Sequence, residues 1–282
     1  MKTFQAPAKI NVHLAVGGKR NDGYHSIESL FCRTTLADVL SVAFSSESAS
    51  SITVHGLEGI CREGEDTITK AIRLWSSVAS FPVSATVECV KRIPYGAGLG
   101  GGSSDAATIL SALQEYHPIA EDALWEVASA VGSDVPFFLS GVRCGWVTGR
   151  GEHVEECLGF PHCFVCIVMP TGIVRNTAEA YHDLDGLQRK KPPEKRVVLS
   201  AFGNGCRSFA SIMRNDFRLV VPDESFYEGV EGLAEGLDGY GTLTGSGAAW
   251  CFMSEKQSVV SLFQGRICEK LSGKQQNWLS EI

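Results

Sequence analysis

Residues 94–107 read Pro-Tyr-Gly-Ala-Gly-Leu-Gly-Gly-Gly-Ser-Ser-Asp-Ala-Ala, and five of the seven residues from Gly96 to Gly102 are glycine. So dense a run cannot hold a helix or a strand, because each glycine loses the most backbone entropy on ordering and brings no side chain to pack. It can, however, bring main-chain N–H groups close to a ligand. Ser103 and Ser104 follow as candidate N-cap residues, and Ala106, Ala107, Leu110 and Leu113 recur behind them at helical spacing. A glycine loop that feeds a helix N-terminus offers unpaired N–H groups and the positive end of the helix dipole to an anion. The segment therefore reads as a nucleotide-phosphate loop. A flexible linker would not be flanked by a strand-like segment and an apolar helical one.

The chain has 282 residues, enough for two domains or one large one. Its 44% hydrophobic and 20% charged content is that of a globular protein. A net charge of -7 argues against a general nucleic-acid binder, but a few local cations can still hold phosphates. No apolar run approaches a bilayer span, and Lys9 and Asn11 interrupt the stretch that a signal peptide would need, so the expected location is cytoplasmic. Of the ten cysteines, only Cys163 and Cys166 form a CxxC. It lies in a strand-like segment that sends i and i+3 to opposite faces, so buried thiols are expected and not a zinc site.

Strands are expected at residues 4–16, 39–44, 52–54, 85–93, 163–169 and 249–253, and helices at 67–78, behind the glycine loop, at 122–131, 178–184 and 226–237. Residues 17–23 read as a turn, and 45–51 (Ser-rich) and 188–196 (charged, with prolines) as loops. Strands and helices mix without strict alternation, which favours α+β over a doubly wound sheet. A boundary is expected near residues 151–161.

Three glycine-loop types can be tested on the residues. The GxxxxGK[ST] pattern is absent. GxGxxG is met by Gly96, Gly98 and Gly101, but a run this rich in glycine satisfies it almost by chance. Glu121 and Asp122, near the distance for the acidic partner, open a helix and do not close a strand. The downstream motifs of a protein kinase are missing.

Residues 94–107 resemble the phosphate loop of the GHMP small-molecule kinases. Two more segments resemble that family's motifs in the right order: residues 7–11 (Pro-Ala-Lys-Ile-Asn) the N-terminal motif, and residues 243–252 (Leu-Thr-Gly-Ser-Gly-Ala-Ala-Trp-Cys-Phe) the C-terminal glycine motif. Residues 20–25 (Arg-Asn-Asp-Gly-Tyr-His) and 132–137 (Gly-Ser-Asp-Val-Pro-Phe) resemble the branch whose acceptor is a cytidylylated methylerythritol. The resemblance implies a two-domain α+β GHMP kinase fold, with an ATP-binding domain at residues 1–155 like one found in a ribosomal protein. A ferredoxin-like domain would follow at 156–282, with the active site in the cleft between the two. It implies transfer of the γ-phosphoryl of ATP to the acceptor's 2-hydroxyl in non-mevalonate isoprenoid precursor synthesis, with Mg²⁺ bridging phosphates.

The same resemblance assigns roles. Asp134 accepts the proton of the acceptor hydroxyl or orients it, and Lys9 orients Asp134 and offsets negative charge. On the residues alone, Lys9 among Ala6, Ala8 and Ile10 reads as a snorkelling lysine, and Asp134 as a turn or cap residue. Pro94, Gly96, Gly98, Leu99, Gly100, Gly101, Gly102, Ser103 and Ser104 line the ATP phosphates, with Ser103 or Ser104 near the metal. Lys91 reaches the nucleotide, unless it is simply a solvated strand-end lysine. Tyr24 stacks on cytosine, His25 reads its edge, Tyr181 covers the other face, and Asn11 holds the acceptor near Lys9. Gly245, Ser246 and Gly247 close against the phosphate loop. Glu65 to Ile68 replace the Asn-Leu pair that family members carry near adenine, which leaves the adenine contacts open, and Tyr95 stands where a smaller or unbranched residue is usual. The expected partners are ATP and the small-molecule acceptor, with no nucleic acid or membrane, in a monomer or weak homodimer. Rival readings are a GHMP kinase for another alcohol, a nucleotide sensor without chemistry and, on GxGxxG alone, an NAD-dependent oxidoreductase.

Overall fold

Two long strands, β1 (Lys2–Lys19) and β2 (His25–Ser45), form an antiparallel hairpin on which the N-terminal half is built. The computed structural model describes residues 1–46, 51–159, 161–271 and 273–282, so the Ser-rich loop expected at 45–51 lies largely outside the described residues. The hairpin turn is shorter than the glycines suggested, because β1 runs through Gly17 and Gly18. It closes where the Arg20 N–H donates to the Tyr24 carbonyl (2.7 Å) and the Asp22 carboxylate accepts from the Tyr24 N–H (3.1 Å).

β2 pairs with β5 (Cys144–Gly149) through residues 27–32 and with β4 (Ser84–Val90) through residues 39–45. β3 (Ile52–His55), parallel to β4, and β6 (His153–Glu156) complete a six-stranded sheet. Helices α1 (Thr67–Ala79), α2 (Gly101–Tyr116), α3 (Glu121–Val131) and the short α4 (Val135–Leu139) pack together against it. Asp66 caps α1 by accepting from the Thr69 N–H (2.7 Å), and Ile68, Ala71, Ile72 and Trp75 form the buried face that the spacing predicted.

The C-terminal half holds a four-stranded antiparallel sheet ordered β10 (Gln275–Glu281), β7 (Phe164–Pro170), β9 (Trp250–Ser254), β8 (Tyr240–Leu243). Helix α8 (Gln257–Lys270) packs on it, with α7 (Glu224–Ala234) alongside. α5 (Thr177–Leu184) and α6 (Lys195–Gly203) lie in the connection after β7. The result is a mixed α+β architecture. The expected division at residue 155 falls at the end of β6. All ten cysteines are free, and Cys163 and Cys166 enter different core clusters, as strand alternation requires.

The functional consequence of β1 lies in its irregularity. Its register shifts between Pro7 and Lys9 and again between Asn11 and His13. Pro7 has no N–H to give a ladder, and a bulge is where a strand tolerates one. Between the shifts, Ala8, Ile10 and Val12 enter the core, so Lys9 and Asn11 face the other way, into a cleft.

Candidate active site

Within the glycine run, left-handed glycines alternate with anchored apolar residues. Gly96, Gly98 and Gly100 take φ of 66°, 74° and 72°, where a side chain costs about 1–2 kcal/mol. Ala97 and Leu99 between them are buried. The loop is also held by the second glycine motif: Ala248 and Ala249 donate N–H bonds to the carbonyls of Gly96 (3.2 Å) and Ala97 (3.1 Å). A Cβ on Gly98 would stand 2.3 Å from the Thr244 carbonyl oxygen. Gly245 to Gly247 thus lie against the glycine loop.

Neither Ser103 nor Ser104 is the N-cap of α2. Gly100 takes that position in the left-handed conformation and turns the chain into the helix early, so both serines fall inside the first turn. No side chain caps the helix, and its first N–H groups have no partner within it. Among the described residues the Ser104 hydroxyl is buried without a partner, and Ser103, not Ser104, lines the cavity beside the loop.

Lys9 is 3% exposed, which excludes snorkelling. Its ammonium donates to Asn11 Oδ1 (2.6 Å), lies 3.5 Å from Asp134 Oδ2 and stands 4.6 Å above the Phe31 ring. Its main-chain N–H donates to the Leu99 carbonyl (2.9 Å), tying β1 to the glycine loop. Asp134 precedes α4, yet its side chain makes no capping bond; the carboxylate is left to Lys9 and the cleft. The Asn11 amide is committed inward. Its oxygen accepts from Lys9 and from the Gly245 N–H (2.8 Å), and its nitrogen donates to Ser29 Oγ (2.9 Å). These donors fix its orientation, since a flipped amide would face two donors with its own NH₂. Asn11 thus holds Lys9 and lines the same cleft.

The cleft measures about 640 Å³ and runs from Lys9 and Asp134 to Tyr24 and His25. Tyr24 is half exposed, with the Arg150 guanidinium 5.0 Å from its ring centroid. His25 Nε2 is 2.8 Å from Asp185 Oδ1, and this bond holds the Asp185 carboxyl below the usual carboxylate range. The imidazole stacks on Tyr181 (centroids 4.9 Å apart, 11° between planes). Burial, then the Asp134 charge, pushes the Tyr181 phenol up. Tyr181 thus backs His25 on that face.

A second cavity of about 350 Å³ lies across the loop, lined by Leu57, Ile60, Cys61, Thr67 and Tyr95 together with residues 96–103. Gly98 and Gly100 border both cavities. Lys91 lines the second cavity without being free in it, because its ammonium bonds both Asp38 and Asp105 (2.7 Å to the latter). Burial pulls the Lys91 pKa down, and the two carboxylates more than offset this, so it stands above the usual lysine value. Sequence reasoning missed Asp38, Arg150, Asp185, Thr244 and Asn215, whose amide donates to the carbonyls of Leu243 (2.8 Å) and Gly245 (2.9 Å). Only Thr244 sat inside a recognisable motif.

The GHMP kinases N terminal domain family matches residues 66–142. A 4-diphosphocytidyl-2-C-methyl-D-erythritol kinase of Treponema pallidum subsp. pallidum is 39% identical over 193 residues, covering 66% of this chain and 63% of the relative. The chain thus spans less than two thirds of that relative's length. One from Neisseria meningitidis serogroup C is 33% identical over 284 residues, 99% of this chain and 94% of the relative. The crystal structure of a 4-(cytidine 5'-diphospho)-2C-methyl-D-erythritol kinase superposes with a TM-score of 0.77 at 31% identity, covering 99% of this chain and 98% of that one. The mevalonate kinase of Methanococcus jannaschii shares the fold, with a TM-score of 0.68 at 11% identity over 100% of this chain and 98% of that one.

Proposed function

The chain belongs to the GHMP kinase family, and on that premise we propose that it transfers the γ-phosphoryl group of ATP to the 2-hydroxyl of 4-diphosphocytidyl-2-C-methyl-D-erythritol. The observation that carries this reading is the shared wall. Gly98 and Gly100 border both cavities, and the Lys9–Asp134 pair stands in the larger one. Adenosine occupies the smaller cavity, the triphosphate crosses the first turn of α2, and the acceptor fills the larger cleft. That cleft draws residues from both sides of the proposed domain division at residues 155 and 156.

Phosphoryl transfer depends on positioning and charge more than on covalent assistance from the protein. Loop N–H groups hold the transferring oxygens. Asp134 orients the acceptor hydroxyl and takes its proton as the new P–O bond forms. Lys9, fixed by Asn11, balances the carboxylate and the charge that builds on the phosphoryl oxygens. Mg²⁺ accompanying ATP would neutralise phosphate charge, with the Ser103 or Ser104 hydroxyl near it. Tyr24 offers a stacking face to cytosine. His25, with Nε2 bonded to Asp185, is left with Nδ1 for a polar contact.

Steady-state ADP release tests the reading, comparing the cytidylylated acceptor with the same polyol phosphate lacking the cytidylyl group. The expected result is turnover of the first and a loss of about 10² or more in kcat/KM for the second, the scale of a missing set of polar and stacking contacts. Equal efficiency would overturn base recognition. Turnover of homoserine or a sugar in place of the cytidylylated acceptor would move the chain to another branch of the family.

A further inference from the structure

We propose that Cys163, Cys206 and Glu255 bind a divalent cation of the zinc class, at a site that ties the connection after β7 to the C-terminal sheet. Their ligand atoms all lie within 4.8 Å of one another. None of the three lines either cavity of the proposed kinase site, so the cation would act on stability and not on phosphoryl transfer.

The three residues come from separate places in the fold. Cys163 immediately precedes β7, Cys206 opens a short 3-10 turn (Cys206–Ser208) beyond α6, and Glu255 immediately follows β9. Strand alternation parts Cys163 from Cys166, and Cys163 meets Cys206 instead, with the sulfurs 3.1 Å apart. Both thiols are buried. The main chain of Cys163 is fixed by a pair of bonds with Ile282: its N–H donates to the Ile282 carbonyl (3.1 Å), and its carbonyl accepts from the Ile282 N–H (2.9 Å). The Cys206 N–H donates to Glu255 Oε1 (2.9 Å), which brings the carboxylate to the thiol pair. Gly205 makes room for it. That residue takes a φ of 91°, and a Cβ there would stand 2.4 Å from Glu255 Oε1.

Two sulfurs and one carboxylate oxygen suit a borderline-soft ion such as zinc, whereas magnesium and calcium take oxygen donors. Sulfurs on a tetrahedral zinc stand about 3.8 Å apart, given a Zn–S bond of about 2.3 Å, so a small turn about each χ1 opens the pair far enough. A cavity of about 270 Å³, whose wall includes Cys206 and Glu255, offers the fourth position to water. Arg207 and Lys256 on the same wall both pair with Asp238 (3.1 and 2.7 Å), while Glu255 makes no ion pair among the described residues. The Cys206 thiol is pushed up by its bond to Cys163, then by burial, with the Glu255 charge adding to both. A cation reverses that balance: two S–H bonds break, two metal–sulfur bonds form, and two protons pass to solvent with no change of oxidation state.

Titration of the reduced, chelator-treated full-length protein with Co²⁺, a coloured stand-in for zinc, tests this. Wild type should bind a single Co²⁺ with a thiolate charge-transfer band that zinc then abolishes, and the band should persist when the exposed thiols are removed by Cys61→Ser and Cys268→Ser. Zinc at about a hundredfold over its Kd should raise the Tm by roughly 5 °C. Cys206→Ser should lose both the band and the Tm rise. Should Cys206→Ser fail to fold, Glu255→Gln, at an exposed side chain, should keep the fold and weaken Co²⁺ binding at least about tenfold. A folded, reduced wild type with no thiolate band overturns the inference, as does the same band in a folded Cys206→Ser or an unchanged affinity in Glu255→Gln.

Discussion

Asn11→Ala probes the joint between Lys9 and the second glycine motif. The substitution removes the amide oxygen that Lys9 and the Gly245 N–H share, and the nitrogen that donates to Ser29. A hydrogen bond from an ammonium contributes about 1.5–3 kcal/mol, and a buried N–H left unpaired costs about 1–3 kcal/mol. Ser29 loses little, because its hydroxyl still donates to the His13 carbonyl (2.5 Å). The sum is about 2.5–6 kcal/mol, divided between lost stability and a Lys9 no longer aimed at the acceptor. The expected outcome is a Tm lower by roughly 5 °C and a kcat/KM lower by about 10–10², read by calorimetry and by ADP release. Asn11→Asp should also fail: its second carboxylate oxygen would face Ser29 Oγ, whose proton is already committed. If Asn11→Ala kept kcat/KM within threefold of wild type at an unchanged Tm, the assignment of Asn11 as the holder of Lys9 would be wrong.

Asp134→Asn removes the carboxylate that pairs with the buried Lys9 ammonium, so the Tm should fall by roughly 5 °C and kcat by about 10²–10⁴; near-normal turnover would remove Asp134 from the chemistry. Gly98→Ala combines a left-handed φ with overlap against the Thr244 carbonyl, so KM for ATP should rise at least about tenfold as the loop shifts; an unchanged KM would count against the loop as the phosphate seat. His13, buried beside Trp146, has its pKa lowered from 6.5 to about 4 by burial and then by Arg214. Between those values the unfolded chain binds a proton that the folded chain refuses, so stability falls as pH drops, by up to about 3 kcal/mol. Urea melts at pH 7.5 and pH 4.5 should show this loss, and an equal loss in His13→Gln would assign it elsewhere.

Much of the fold was legible where a single physical cause dominates. The 3.6-residue spacing of Ile68, Ala71, Ile72 and Trp75 gave α1, and glycine density gave the loop that opens α2. α8 and β10 were missed because little in them is buried: Val260, Phe263 and Ile267 in one, and Ser280 in the other. At the site, Lys9 and Asp134 came from motif resemblance, while the residues alone favoured a surface lysine and a cap. What reverses that reading is tertiary: a double bulge in β1 that turns Lys9 and Asn11 to the cleft, and a helix start that leaves the Asp134 carboxylate unused. Ser103 and Ser104 look like caps in sequence. Only the left-handed Gly100 shows why the helix starts before them. Asp38, Asp185 and Asn215 carry no local signal, since each acts through a partner distant in the chain, 55, 160 and 30 residues away.

The most direct test of the account is a crystal structure of the protein with a non-hydrolysable ATP analogue and the cytidylylated acceptor. The triphosphate should lie on main-chain N–H groups between Gly98 and Ser104, with the acceptor's 2-hydroxyl within hydrogen-bond reach of both Asp134 and Lys9. A nucleotide seated away from that loop, or a hydroxyl remote from the pair, would contradict it.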